Sequence, residues 1–132
     1  MTKPLVSVAA MILVEEGKLQ LADPVAKFLP EFAEQQVSVP STDAYGNVSY
    51  SLVPAQRPMT VQDLLRHTAG LAYGEITANA EVKEAYTAIG VYKPDGLPYE
   101  ARDVPPAEEI VGLAKAPLIH QPGTVWEYSL AT

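Results

Sequence analysis

Hydrophobic and polar residues follow different periods along the chain, and these periods predict mainly α structure with a small β-hairpin. Residues 3–16 are almost continuously apolar and end at Gly17, the residue type that often closes a helix in the left-handed conformation. Because this segment is apolar on nearly every side, it predicts a helix at the centre of a larger structure. An Asp-Pro pair at 23–24 predicts a short helix through Phe28, which Pro30 is expected to end.

The stretch from residue 37 to residue 52 has the period of a β-strand. Apolar side chains alternate with polar ones on both sides of the turn-rich sequence STDAYGN. This pattern is typical of a β-hairpin whose faces are polar.

Three further helices are predicted after the hairpin. Thr60 and Asp63 have the spacing of a capping box, and the helix that they start should stop at Gly70. Residues 81–89 and 107–114 are amphipathic, and a segment rich in proline and glycine separates them.

The length and composition narrow the possible functions. With 132 residues and no linker or internal repeat, the chain is expected to form a single domain over residues 1–132. The absence of cysteine excludes disulfides, thiolate metal sites and a cysteine nucleophile. A net charge of -7 with scattered basic residues argues against a nucleic-acid partner. The apolar run 5–14 is too short to cross a membrane, and the lack of an export signal favours a cytoplasmic location.

Three separated segments resemble one enzyme family. In order they are TKPLVSVAAMILVEEGKLQLADPVAKFLPEF, MTVQDLLRHTAGL and QPGTVWEYS. Together they resemble the serine β-lactamase and penicillin-binding-protein superfamily, in its class C-like esterase branch. The resemblance implies a hydrolase that needs no cofactor and acts on small-molecule esters. It also implies that this chain corresponds to the helical lobe of a two-part α+β fold, with the sheet half missing.

The same resemblance implies two catalytic residues. The family carries a Ser-x-x-Lys motif, in which the lysine helps to deprotonate a nucleophilic serine one helical turn earlier. Lys3 matches the lysine, and the serine is expected at the position before Met1. Tyr128 matches the tyrosine of a Tyr-Ser-x motif that shares the proton transfer. We therefore expect hydrolysis of activated esters, if it occurs, to follow a route without the family nucleophile.

The residues leave other interpretations open. Ser7 shares a helix face with Lys3, and Ser129 adjoins Tyr128, although both are explained by packing. His67 and His120 could instead hold zinc or a similar ion with a carboxylate, and such an ion would activate water for ester or phosphotriester hydrolysis.

A third interpretation is a non-catalytic oligomeric module. An apolar helix over residues 3–16 without the covering half of the fold would expose a large hydrophobic patch. We therefore expect a homo-oligomer, a dimer or higher, with this helix in the interface.

Overall fold

The computed structural model describes residues 2–96 and 104–131. Two short 3-10 helices, Val25–Lys27 and Pro30–Ala33, follow the first α-helix. The helices and strands in chain order are α1 (Thr2–Glu15), β1 (Gln36–Thr42), β2 (Val48–Pro54), α2 (Val61–Leu65), α3 (Ala80–Ala88) and α4 (Pro106–Lys115).

The described residues form an α+β fold, so the prediction of a mainly α fold is wrong. Helix accounts for 37 % and strand for 14 % of the structure. The largest single loss of helix is in α2, which has five residues instead of the longer helix predicted up to Gly70. Several of the described segments between these elements hydrogen-bond to distant parts of the chain, as Ile119 does to Gly70 and Glu127 to His67.

Most of the locally predicted elements are confirmed. β1 and β2 pair as an antiparallel hairpin, with Val39 opposite Ser51. Asp43 closes its turn by accepting hydrogen bonds from the backbone N–H groups of Tyr45 and Asn47. Gly17 adopts the left-handed conformation after α1, with φ of 72°. One detail differs, because Pro30 begins the second 3-10 helix instead of only ending the first.

The hydrophobic core lies between the 3-10 helices, β1, the segment around α2, and the helices α3 and α4. A short parallel pairing between Val37 and Leu118 joins the hairpin to the segment after α4. The phenol of Tyr86 accepts a hydrogen bond from the Ala72 N–H at 3.2 Å, which satisfies a buried backbone donor. The buried apolar side chains include Val25, Phe32, Val37, Met59, Leu71, Val82, Tyr86, Val91, Leu113 and Leu118.

Helix α1 contributes nothing to this core. None of its residues is buried, and Leu5 and Val8 are 72 % and 59 % exposed. The apolar side chains of α1 are therefore exposed in the single chain, as the sequence predicted. None of the described helices combines the length and the hydropathy that a membrane span requires.

The loop at Gly70 and the segment after α4 can approach each other closely because Gly70 has no side chain. Its φ of 83° is left-handed, and a Cβ atom at this position would lie 2.3 Å from the carbonyl oxygen of His120. The Ile119 N–H donates to the Gly70 carbonyl at 2.8 Å. This close approach places residues 67–70 beside the segment that follows α4.

The Asp63 carboxylate fixes the region around α2. It accepts hydrogen bonds from the backbone N–H and hydroxyl of Thr60, which completes the predicted capping box. The Arg57 guanidinium binds both carboxylate oxygens, at 2.7 and 2.9 Å. Thr68 donates its hydroxyl to the same carboxylate and its N–H to the Asp63 carbonyl. The chain is thereby drawn back toward α2, so the helix ends early.

We expect Asp63→Asn to lower the free energy of unfolding by about 2–3 kcal/mol at pH 7, because buried donors lose a charged acceptor. Burial alone would raise the pKa of Asp63, but hydrogen bonds from Arg57, Thr60 and Thr68 outweigh it and lower the pKa to about 2. Since the folded pKa lies below the unfolded one, this stabilisation is complete above the ordinary value near 3.8 and is lost as pH falls through about 2.

Urea denaturation at pH 7 and near pH 2 tests this expectation. The exposed Asp95, changed to Asn, is the control and should leave the stability at pH 7 unchanged. An Asp63→Asn deficit that is equally large near pH 2 would contradict the assigned role of the carboxylate.

Candidate active site

The side chain of Lys3 lies between two tyrosines from distant parts of the chain. Its Nζ atom is 5.3 Å from the centre of the Tyr128 ring and 5.6 Å from the centre of the Tyr73 ring. The two rings are themselves 5.6 Å apart. An ammonium group at these distances is attracted to the electron-rich ring faces. The fold thus brings together Lys3 and Tyr128, the two residues that the sequence singled out for proton transfer.

His67 packs against Tyr128. The centres of the two rings are 4.8 Å apart. The backbone N–H of Ser129 donates to the His67 Nδ1 at 3.3 Å, and the Ser129 hydroxyl oxygen lies 3.4 Å from the same nitrogen. The Trp126 ring meets the imidazole edge-on, with 6.3 Å between ring centres. The imidazole therefore contacts three residues of the segment that carries Tyr128, namely Trp126, Tyr128 and Ser129.

The backbone of His67 explains how this segment reaches the site. His67 has φ of 57°, and it is the only residue besides glycine with positive φ in the described parts of the chain. Histidine is one of the few side chains that tolerate this conformation. The turn directs the His67 carbonyl toward the Glu127 N–H, which donates to it at 2.9 Å. A second hydrogen bond, from the Gly123 N–H to the Thr68 carbonyl at 2.7 Å, holds the start of the same segment.

The electrostatic surroundings keep His67 neutral. Burial lowers its pKa below the ordinary value of 6.5, and the positive charge of Lys3 lowers the pKa further. A neutral imidazole can accept at Nδ1, as the bond from the Ser129 N–H requires, with its proton on Nε2. His67 therefore serves as a hydrogen-bond acceptor for the Ser129 N–H.

The two alternative nucleophiles, Ser129 and Ser7, lie in different parts of the fold. Ser129 is 1 % exposed, and its hydroxyl oxygen accepts a hydrogen bond from the Ala131 N–H. A substrate does not reach a side chain buried to that degree. Ser7 lies on α1, one turn beyond Lys3. Ser129 therefore acts here as a structural link between His67 and the end of the described chain.

The two histidines have separate partners. The Nε2 atom of His120 is 3.1 Å from a carboxylate oxygen of Glu127, and both side chains are about one-third exposed. His67 faces Tyr128 and Ser129 instead. Within residues 2–96 and 104–131, no group of three or more histidine and acidic side chains is arranged to hold a metal ion. The predicted pairing of His67 with His120 around an ion therefore receives no support from their positions.

Tyr73 is the member of the site that the sequence analysis missed. It lies in the loop after Gly70, outside any periodic element. No motif marks it, because its contact with Lys3 and Tyr128 depends on how the loop packs against α1.

The arrangement of the motifs agrees with the comparison to known families. A family model described as "Beta-lactamase" matches residues 1–132. The chain belongs to the beta-lactamase family. The sequence-based assignment to the serine β-lactamase-like superfamily, in its esterase branch, is confirmed by this match and by the relatives.

Known proteins from several organisms are similar in sequence to this chain. An uncharacterized protein of Mycobacterium tuberculosis is 40 % identical over 131 residues, which cover 99 % of this chain and 29 % of that protein. Esterase EstB of Burkholderia gladioli is 35 % identical over 131 residues, covering 98 % of this chain and 28 % of EstB. The chain thus spans less than a third of the length of these relatives.

Solved structures of two other proteins have a similar fold over nearly the whole of this chain. EstCE1, described as a hydrolase with promiscuous acyltransferase activity, superposes with a TM-score of 0.67 at 32 % identity, over 98 % of this chain and 28 % of EstCE1. Unliganded simvastatin synthase LovD from Aspergillus terreus superposes with a TM-score of 0.65 at 23 % identity, over 98 % of this chain and 29 % of LovD. At that identity LovD is evidence for the fold alone.

The proximity of Lys3 to His67 predicts a measurable coupling. We expect Lys3→Met to raise the pKa of His67, since it removes a positive charge that disfavours the imidazolium and leaves burial unchanged. NMR titration of the imidazole protons measures the shift. Lys83→Met, which removes a lysine from the Tyr92 ring elsewhere, is the matched control and should leave the His67 titration unchanged. An identical His67 pKa in the Lys3 variant would show that the ammonium does not reach it.

Proposed function

We propose that the chain carries the proton-transfer part of an ester-hydrolysing site, in which Lys3 and Tyr128 act together. The observation that carries the proposal is the position of the Lys3 ammonium against the Tyr128 ring, although the two residues come from opposite ends of the sequence. The names of two relatives, an esterase and a hydrolase with acyltransferase activity, support an ester as the substrate class.

Each residue has a defined role in the proposed reaction. In the family pattern, a serine three positions before the lysine attacks the ester carbonyl, and that position precedes Met1. Tyr128 shares the transfer of the proton from the attacking hydroxyl, and the Lys3 ammonium stabilises the negative charge that develops during the attack. The proton then passes to the leaving alkoxide as the ester C–O bond breaks.

Lys3 and Tyr128 can assist the attack of a water molecule on the ester in the same way. An attacking water molecule gives its proton to Tyr128, its oxygen bonds to the carbonyl carbon, and the alkoxide leaves with the proton. Attack by water forms no covalent intermediate that would divide the barrier in two, so this route favours esters with a good leaving group. We therefore propose activated esters as the substrates of this chain, with no metal or organic cofactor in the reaction.

The test is hydrolysis of p-nitrophenyl acetate by the purified chain. We expect Lys3→Met and Tyr128→Phe each to lower kcat/KM by about tenfold or more, since a positioned proton-transfer group typically contributes at least that much. Lys83→Met and Tyr92→Phe alter a similar lysine–tyrosine pair, 5.7 Å from ammonium to ring centre, and should retain activity.

The contrary outcomes identify the other interpretations. Activity that disappears with a chelator and returns with zinc would contradict the proposal and favour a metal site at His67 and His120. No turnover of the activated ester would also contradict it and favour a non-catalytic module. Equal losses in the control pair would indicate a general effect on folding.

We also propose that a second copy of this chain covers the apolar surface of α1. Leu5, Val8 and Ile12 are all at least half exposed, and together they form a patch that water solvates poorly. A symmetric pairing of α1 with its copy would bury this patch without any other partner.

Sedimentation velocity at micromolar concentration tests the assembly. We expect a dimer or larger species for the native chain and a monomer for the Leu5→Glu Val8→Glu double variant. Val48 on the hairpin is 53 % exposed, so Val48→Glu is a matched control that should leave the assembly intact. A compact monomer of the native chain would refute the proposal.

A further inference from the structure

The segment that carries Tyr128 is held on both sides of that residue by His67. On one side, the Glu127 N–H donates to the His67 carbonyl at 2.9 Å. On the other, the Ser129 N–H donates to the His67 Nδ1 at 3.3 Å. Between them, the Tyr128 ring packs on the imidazole at 4.8 Å between centres. One residue thus makes three contacts with three consecutive residues.

We propose that His67 is the positioning residue of the site, which fixes the Tyr128 ring against Lys3 by binding the backbone on both sides of it. The inference rests on the proposed function of Tyr128 and adds a further residue to it. His67 touches no reacting atom in this scheme. It acts through Tyr128, whose side chain is 45 % exposed and is not enclosed by the core.

The chemistry of the contacts explains why histidine suits this position. The backbone requires a residue that accepts φ of 57°, which favours Gly, Asn, Asp or His. The Ser129 N–H requires an acceptor near the Nδ1 position, and the Tyr128 ring requires a flat partner. Among those four residue types, only histidine meets all three requirements. Asparagine meets the first two, since its side-chain oxygen can occupy the place of Nδ1.

The protonation state of His67 controls the contact with Ser129. When the imidazole is protonated, Nδ1 becomes a donor and faces the Ser129 N–H donor. The ionisable side chains near the imidazole are Lys3 of α1, Tyr128 itself, and Tyr73 beyond Tyr128. Burial of the imidazole opposes its protonation most, and the Lys3 ammonium adds to this effect, so the contact persists through neutral pH and is expected to fail only in acid.

The first experiment observes the position of Tyr128 without using activity. NMR of the labelled native chain follows the Ser129 amide and the Tyr128 ring protons while the pH is lowered through the His67 titration. We expect both signals to shift together with the imidazole protons, at a midpoint below 6.5. The fluorescence of Trp126, the single tryptophan of the chain, should report the same midpoint because its ring meets the imidazole.

Three variants separate the contacts. His67→Phe keeps a flat ring but loses the acceptor and strains the left-handed backbone, whereas His67→Asn keeps both the acceptor and the backbone conformation. His120→Gln removes the other histidine, and it should leave the fluorescence transition intact. We expect the Ser129 amide signal to stay near its native position in His67→Asn and to move in His67→Phe. Circular dichroism establishes that each variant is folded, and the native titration remains decisive if His67→Phe is not.

The second experiment measures ester hydrolysis by the same proteins. We expect His67→Phe to lower kcat by about 10- to 100-fold, as misplacement of a catalytic group by roughly 1 Å can do, while KM changes little. His67→Asn should recover part of the loss. In the native chain, kcat should fall in acid at the midpoint seen by NMR.

The outcomes distinguish this inference from the proposed function. If the native chain shows no turnover, the proposed function fails, and the NMR titration alone decides whether His67 positions Tyr128. Ser129 and Tyr128 signals that do not move while His67 titrates would overturn the inference. So would a folded His67→Asn variant whose Ser129 amide and kcat are no closer to native than those of His67→Phe.

Discussion

The left-handed turn at His67 is the constraint on which the site depends. It follows the end of α2, which the contacts between Thr68 and Asp63 fix, and it turns the His67 and Thr68 carbonyls toward the segment 123–127. Two backbone hydrogen bonds of 2.7 and 2.9 Å then fix that segment alongside the turn. The Asp63 carboxylate stabilises the same turn from the other side, by binding Thr68 and Arg57. A short run of backbone thus determines where Tyr128 can lie.

The site also shows how a cation is accommodated among neutral groups. The faces of two tyrosine rings lie around the Lys3 ammonium, and its charge disfavours protonation of the nearby imidazole. This leaves one positive charge beside one phenol, with a neutral acceptor holding the phenol's backbone. Burial is the main cause of the lowered His67 pKa, and the charge of Lys3 lowers it further, so the ammonium assists in keeping the imidazole an acceptor.

Local sequence signals located most elements but overestimated the helical content. Residues within four positions of one another decide three local features: the capping box at Thr60, the turn at Asp43 and the glycine after α1. The sequence pattern could therefore predict them. The sequence pattern did not predict the length of α2, because Asp63 and Thr68 end the helix through side-chain contacts that hydrophobic periodicity does not indicate. The mainly α prediction came from the resemblance to the helical lobe of the family fold, and it is wrong because helix makes up 37 % and strand 14 % of the described residues.

The sequence by itself determined the family, the hairpin and, to within about a residue, three of the four helices in the described parts of the chain, because each rests on a local pattern or a motif. It also predicted Lys3 and Tyr128 as candidates for proton transfer. Only the tertiary structure decided that these two side chains meet, that Tyr73 joins them, and that His67 pairs with Ser129 while His120 pairs with Glu127. The physical reason is that such contacts join residues far apart in the chain. They depend on the direction of the turn at His67 and on the close approach at Gly70, and neither has a signature in the spacing of the residues that it brings together.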